Sequence, residues 1–351
     1  MSAMGERTTT EPAGVDVLLS GLLFADLAFA GLDAPPAPGT EVWTKQFSVA
    51  PGGIANFAVT LARFGLRASL AAAFGADTFG SYCWHVLSEV EGVDLARSRR
   101  IAGWPTPVTV SLAYGGDRAL ITHGQPPPVS GDDLIGDQPP GRAAIVHIGP
   151  EPAGWVRRAH AAGALVFADV GWDPARRWAG AVLDRLAYCH AFTPNAAEAM
   201  AYTRTDTPRA ALARLAELVP LAVVTCGAAG ALAVDGTTGE HAAVPGLVVD
   251  AVDPTGAGDI FAASLVVATL GGWPLAERLR FANLAAALSV RQPGGAAATP
   301  GWAGVAAWWW ATRRAAAPEL LRDYAFLDRV IPAEHGDAAP GSPRPGRIEH
   351  P

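Results

Sequence analysis

In the run Asp253-Pro254-Thr255-Gly256-Ala257-Gly258-Asp259, small residues sit between two carboxylates and lead into the apolar stretch IFAASLVVATL. A glycine-rich turn at a helix start lets backbone N–H groups approach an anion, and the helix dipole favours negative charge there. A carboxylate at the end of such a turn, Asp259, can accept a proton from a hydroxyl that attacks a bound phosphate. The same residues also read as a glycine-rich loop with an Asp cap, and taken alone the spacing leaves both readings open.

Such a turn needs elements to hold it. Asp16–Leu22 reads as a first strand. The apolar stretch from Val15 to Leu32, interrupted by Asp16 and Asp26, is expected to be a buried strand followed by a loop, not a membrane span. A turn at 33–40 precedes an alternating strand at 41–49, and Gly52-Gly53 mark a turn before an amphipathic helix at 54–64. Asp77–Glu91 reads as a helix. The run PVTVSLAY-GGD-RALITH predicts a hairpin over 106–122. From Ala143, apolar strands alternate with helices, among them helices expected at 152–162, 174–186, 196–202 and 209–218. That order predicts an α/β class with a mostly parallel sheet flanked by helices. The domain is expected to span 15–331, with a flexible N-terminus at 1–14 and a disordered tail at 332–351.

The bulk numbers exclude other classes. Half of the 351 residues are hydrophobic, enough for a sizeable core. The formal net charge of -7 gives no footprint for nucleic acid. Three cysteines, Cys83, Cys189 and Cys226, form no CxxC pair and fit a reducing, cytoplasmic setting. A strand–GxGxxG–helix unit and a GxxxxGK[ST] loop are both missing.

The segment DPTGAGD resembles the C-terminal signature of the ribokinase-like (PfkB) carbohydrate kinases, DTxGAGD, with Pro254 in place of the usual Thr. The resemblance implies that Asp259 is the catalytic base and that Gly256, Ala257 and Gly258 form an anion hole. Other segments resemble family elements in the same order. In Pro51–Asn56, paired Gly52 and Gly53 let the backbone approach a polyol, and Asn56 can donate and accept hydrogen bonds. The early element GLLFAD offers Asp26 to sugar hydroxyls. Asn195 and Glu198 resemble the NxxE motif, whose oxygens hold magnesium near ATP, and they also read as a capping box. Thr225, Gly227 and Gly230 resemble a strand–turn element beside the nucleotide. Asn283 resembles the purine neighbour on the adenine-side helix. Asp253 and Thr255, with the loop at 294–296, match a monovalent-cation (potassium) site of many members, which Pro254 alters. The resemblance covers about Val15 to Trp302.

It implies a three-layer ribokinase-like fold with a small β-sheet lid, whose segments are expected at about 33–50 and 105–123. It implies an ATP- and magnesium-dependent phosphotransferase acting on a hydroxyl of a small sugar, of pentose or hexose class. A nucleoside kinase and a catalytically weak sugar- or nucleotide-binding regulator are the alternatives. Asp169–Pro174 lacks the DxNxR-like run of members acting on sugar acids, although Arg176 and Arg177 lie nearby. Trp104, His123 and Trp172 could equally line the pocket or pack elsewhere. The resemblance allows a homodimer through the lid, with Trp43 and Phe47 at the contact. Trp308-Trp309-Trp310 is read as helix packing.

Overall fold

The computed structural model describes residues 14–115, 117–137, 141–149, 153–171, 173, 175–314 and 316–335. The expected N-terminal segment, all but Gly14, lies outside these residues. So do Trp172, Pro174 and the expected tail beyond His335.

Short apolar runs build the main sheet. They are β1 (Val17–Ser20), β4 (Ala68–Ala71), β9 (Ala143–His147), β10 (Leu165–Asp169), β11 (Ala191–Phe192) and β12 (Leu221–Thr225), all mutually parallel. Antiparallel β13 (Ala231–Asp235) and β14 (Glu240–Val244) extend one edge, giving the order β14-β13-β12-β11-β10-β9-β1-β4. Alternation along each strand divides the core. Val17, Leu19, Ala143, Ile145, Leu221 and Val223 face one cluster, whereas Leu18, Ala144, Val146, Ala222 and Val224 face the other. The helices Ile54–Arg63, Ala257–Leu270 and Leu275–Ser289 cover the first face. Gly154–Ala161 and Pro208–Leu215 cover the second. Continuous apolar strands are the expected outcome of a parallel sheet buried on both sides.

A second sheet stands apart, in the order β3-β2-β7-β8: β3 (Gln46–Gly53), β2 (Leu23–Leu32), β7 (Val108–Tyr114) and β8 (Asp117–His123). The strands β5 (Ala73–Gly75) and β6 (Arg99–Ile101) form a short parallel pair. The chain leaves β1 into a ten-residue strand, β2, where the sequence predicts a loop. Asp26 interrupts the apolar run because it lies on the inner face of this small sheet, opposite Ala50 and Thr109. Gly52 and Gly53 end β3 rather than forming a separate turn, and Gly53, with φ 60°, caps the next helix directly. The helix expected at 174–186 is also corrected. Only Ala181–Asp184 is α-helical, followed by a 3₁₀ turn at Arg185–Tyr188. Upstream, the Asp173 carboxylate accepts from the backbone N–H of Ala175, Arg177 and Trp178, which favours a turn over a helix. The helix expected at 77–91 is α-helical at Thr78–His85 and widens to a π-turn at Val86–Val90.

The tryptophan run lies on the helix Gly301–Thr312. Trp309 is buried and donates to Asp328 Oδ1 at 2.8 Å, and Trp308 packs edge-on against Tyr324. Among the described residues no helix is long and apolar enough to cross a membrane.

One buried ion pair locks β13 to the helix Leu275–Ser289: Arg278 Nη1 lies 2.9 Å from Asp235 Oδ2, with side-chain exposures of 9% and 1%. Removing the cation strands a buried carboxylate. Arg278→Met is expected to destabilise the fold by about 3–5 kcal/mol in urea unfolding. A loss below about 1 kcal/mol would show that the pair is dispensable.

Candidate active site

Asp259 owes its place to a backbone conformation. Gly256 has φ 74° and caps the helix Ala257–Leu270, so Asp259 falls in the first turn, where the helix dipole favours negative charge. A Cβ at Gly256 would come within 3.0 Å of Asn56 Nδ2 and 3.2 Å of Gly295 Cα. Glycine therefore lets three chain segments meet at that point. Asn56, in the first turn of the Ile54 helix, donates from Nδ2 to Asp259 Oδ2 at 2.7 Å. Its Oδ1 is buried without a partner among the described residues. Burial pushes the Asp259 carboxyl up to about 6, against the opposing Asn56 hydrogen bond and the charge of Arg118.

The turn is tied down from below. Asp253 is buried. Its Oδ1 accepts from the Thr255 N–H at 3.0 Å and hydroxyl at 2.6 Å, and its Oδ2 accepts from the Gly294 N–H at 3.0 Å. Thr255 Oγ1 also lies 3.0 Å from Ser111 Oγ of β7. Both side chains expected at a monovalent-cation site are thus engaged in clamping the signature turn to the 294 loop and the small sheet. Pro254 does not break this clamp.

The inner face of the small sheet covers the turn. Paired residues in neighbouring strands share a face, so Asp26, Thr109 and Thr122 form one inward row and Ala28, Ser48, Ser111 and Leu120 the next. A side chain at Gly52 would fall 1.9 Å from Asp26 Oδ2, so the carboxylate lies directly over that glycine. Burial, with the charges of Asp259 and Asp253, pushes the Asp26 carboxyl up to about 7.

Asn195 and Glu198 form a complete capping box. The Glu198 N–H donates to Asn195 Oδ1, and the Asn195 N–H donates to Glu198 Oε2, both at 3.0 Å. Burial raises the Glu198 carboxyl to about 7, with the Asp259 charge adding to it. Thr225 bridges to Asn195, which joins the two segments expected near a nucleotide. Gly227 and Gly230 have φ 56° and 95°, and a Cβ at Gly230 would strike the Val244 carbonyl. Asn283 donates to the carbonyls of Val244 and Pro245 at 3.4 and 3.3 Å. Its amide holds the chain after β14, adjoining the Gly230 turn. The expected site residues therefore fall into two groups. Asp26, Gly52, Asn56, Asp253, Thr255, Gly256 and Asp259 meet under the small sheet, whereas Thr225, Gly230 and Asn283 line the β12–β14 side.

Two residues not expected at the site from the sequence join Asp259. His147 and Asp169 end the neighbouring strands β9 and β10 in register, and one ligating atom of each lies within 4.8 Å of the others and of Asp259. Burial pushes the His147 imidazole down to about 4 and holds Asp169 well above the usual carboxylate range, with Asp259 and Glu198 adding to the latter. Polar residues at the C-terminal ends of parallel strands were the available signal. Of the other pocket suggestions, Trp104 is buried and donates to the Pro126 carbonyl, and His123 is exposed at the end of β8.

Residues 142–302 match the family model described as pfkB family carbohydrate kinase. The bifunctional protein HldE of Halorhodospira halophila is 29% identical over 311 residues, covering 82% of this chain but only 62% of its own length. The chain thus spans about three-fifths of the curated relatives it matches. Among solved structures, Arabidopsis thaliana ribokinase in complex with ribose and ATP is 24% identical with a TM-score of 0.67, covering 83% of this chain and 97% of the ribokinase. Adenosine kinase from Sinorhizobium meliloti is 25% identical with a TM-score of 0.66, covering 81% and 96%. The large sheet with its small separate sheet is a ribokinase-like fold, and the segment 142–302, which carries the glycine turn at the start of the Ala257 helix, matches the pfkB family carbohydrate kinases.

Proposed function

We propose that this kinase transfers the γ-phosphoryl group of ATP to a hydroxyl of a small sugar of pentose or hexose class, with Asp259 as base. The observation that carries the reading is the position of Asp259: a carboxyl at about 6, in a helix's first turn, held by Asn56 and roofed by the sheet that bears Asp26. A base with a pKa just below neutrality is ionised at pH 7 and still accepts a proton well.

In this reading Asp26 and the backbone at Gly52-Gly53 hold the sugar hydroxyls, and Asn56 fixes the Asp259 carboxylate toward them. The backbone N–H groups of Gly256, Ala257 and Gly258 face the charge that develops on the transferred group. Thr225, Gly227, Gly230 and Asn283 border the nucleotide. The small sheet excludes water and so suppresses hydrolysis of ATP. The outer face of that sheet, with exposed Phe47 and Ile121 and the Phe29 ring packed on Phe47, is assigned to a second copy of the chain.

The acidic end of the sheet suits a magnesium ion. Glu198 keeps one oxygen outside the capping box, and its repulsion with Asp259 and Asp169 is what a divalent cation offsets. Held at Glu198, magnesium would supply charge neutralisation on the phosphate oxygens. Asp253 and Thr255, already clamped, leave backbone carbonyls as the donors for a monovalent ion.

Asp259→Asn is expected to lower kcat by roughly 10²–10⁴-fold while ATP affinity by calorimetry stays within about twofold. Near-normal turnover in that variant would remove Asp259 from the role of base. An ATP-consumption screen over sugars, sugar acids and nucleosides identifies the acceptor, and a preference for nucleosides would overturn the sugar assignment.

The pH profile gives an independent check. Protonated Asp259 cannot accept a proton, so kcat/KM should fall as pH drops through about 6. Asn56→Leu removes a hydrogen bond that favours the ionised form, so its acidic limb should move to higher pH by about one unit. An unmoved limb would mean that another group titrates.

A further inference from the structure

Beside the proposed base lie two buried donors, His147 and Asp169, to which the phosphoryl transfer proposed above gives no task. We propose that His147, Asp169 and Asp259 bind one transition-metal ion of the zinc class, and that the bound ion silences the kinase by occupying its base. The silencing rests on the reading of Asp259 given above; the binding does not.

The backbone builds the site. His147 and Asp169 are register partners that end adjacent parallel strands, so their side chains leave the sheet on the same face. Asp259 reaches the same space from the first turn of the Ala257 helix, and one ligating atom of each residue lies within 4.8 Å of the other two. Each carboxylate has one oxygen already fixed. Asp259 Oδ2 accepts from Asn56 Nδ2 at 2.7 Å, and Asp169 Oδ1 accepts from the Val170 N–H at 2.8 Å. The second oxygen of each stays available, oriented as supporting hydrogen bonds orient metal ligands elsewhere. The His147 ring packs edge-on against Phe57, with centroids 5.3 Å apart, and is neutral, the form that coordinates.

The donor types choose the metal. One imidazole nitrogen with two carboxylate oxygens suits zinc or cobalt, whereas magnesium takes oxygen ligands and retains several waters. Glu198 is not among the three residues whose ligating atoms lie within 4.8 Å of one another, so a magnesium ion held at Glu198 has a position of its own. Three protein ligands leave zinc a coordination position open to water or to a substrate hydroxyl. Two carboxylates held close together away from solvent also gain from a dication that offsets their repulsion. Once Asp259 lends its free oxygen to the metal, that oxygen no longer accepts the hydroxyl proton.

The test uses the full chain stripped with a chelator. Cobalt(II) is titrated by visible absorption and zinc by equilibrium dialysis, on wild type, His147→Gln and His147→Cys, with thermal melts to confirm folding. One equivalent should bind to wild type. His147→Gln should weaken binding by about tenfold or more, and His147→Cys, which restores a ligand, should recover it. Zinc added over saturating magnesium–ATP should inhibit wild type, and the half-inhibitory concentration should rise by about tenfold or more in His147→Gln. Binding that is absent, or indifferent to both His147 substitutions, overturns the proposal. The dialysis result holds even for a chain that phosphorylates none of the sugars tried, so failure of the metal site and failure of the kinase reading are told apart.

Discussion

A single hydrogen bond, from Asn56 Nδ2 to Asp259 Oδ2, spans 203 positions of sequence and joins the two helix starts that make the cleft. Its formation demands that the first turns of the Ile54 helix and the Ala257 helix lie side by side. That in turn demands the left-handed Gly256 and close approach by Gly295. The bond offsets part of the burial cost of the Asp259 charge, which otherwise drives the carboxyl toward its neutral form. The glycines around it are there because a Cβ would displace the amide or the loop.

The surrounding electrostatics arise from crowding. Asp26, Asp169, Glu198 and Asp259 all have carboxyls above their ordinary range, with burial as the leading cause, and the charge of Asp259 adds to the shift of the other three. Asp253, also buried, is satisfied differently, by two hydrogen bonds from Thr255 and one from Gly294. The fold thus separates carboxylates that build the cleft from carboxylates left short of partners within it. The latter are where cations and substrate hydroxyls have most to gain by binding.

Much of this was legible in the sequence where local pattern and final structure agree. The apolar runs at Val17, Ala143, Leu165 and Leu221 became parallel strands because both faces of the sheet are covered. The DPTGAGD turn was readable because it resembles a family signature at all but Pro254, whereas its spacing alone left a capped loop equally open. The strand β2 was not legible: Asp26 breaks its alternation for the sake of the cleft it faces. The stretch at 175–180 departs from its helical pattern because Asp173 turns its carboxylate back on the backbone, a local competition that the pattern does not reveal. His147 and Asp169 look like ordinary strand ends, and only the register of β9 against β10 brings them beside Asp259. Asn283 kept its place on the expected helix but is occupied with backbone carbonyls, a choice set by the course of the chain after β14.

The small sheet is attached to the core with almost no slack. Only Gly21 and Leu22 separate β1 from β2, and β3 runs through Gly53 straight into the helix that carries Asn56. Gly21 is itself pinned, since a Cβ there would lie 3.1 Å from Ile54. A cover mounted this way works as a lever whose short arm is the first turn of the Ile54 helix. On the proposed reading of Asp259 as the base, raising the cover would turn the amide that holds its carboxylate, so admission of solvent and misalignment of the base would be one mechanical event. On that reading the chain would need no separate latch to keep water from acting as the acceptor, since the posture that let water in would be the posture in which the carboxylate is poorly aimed.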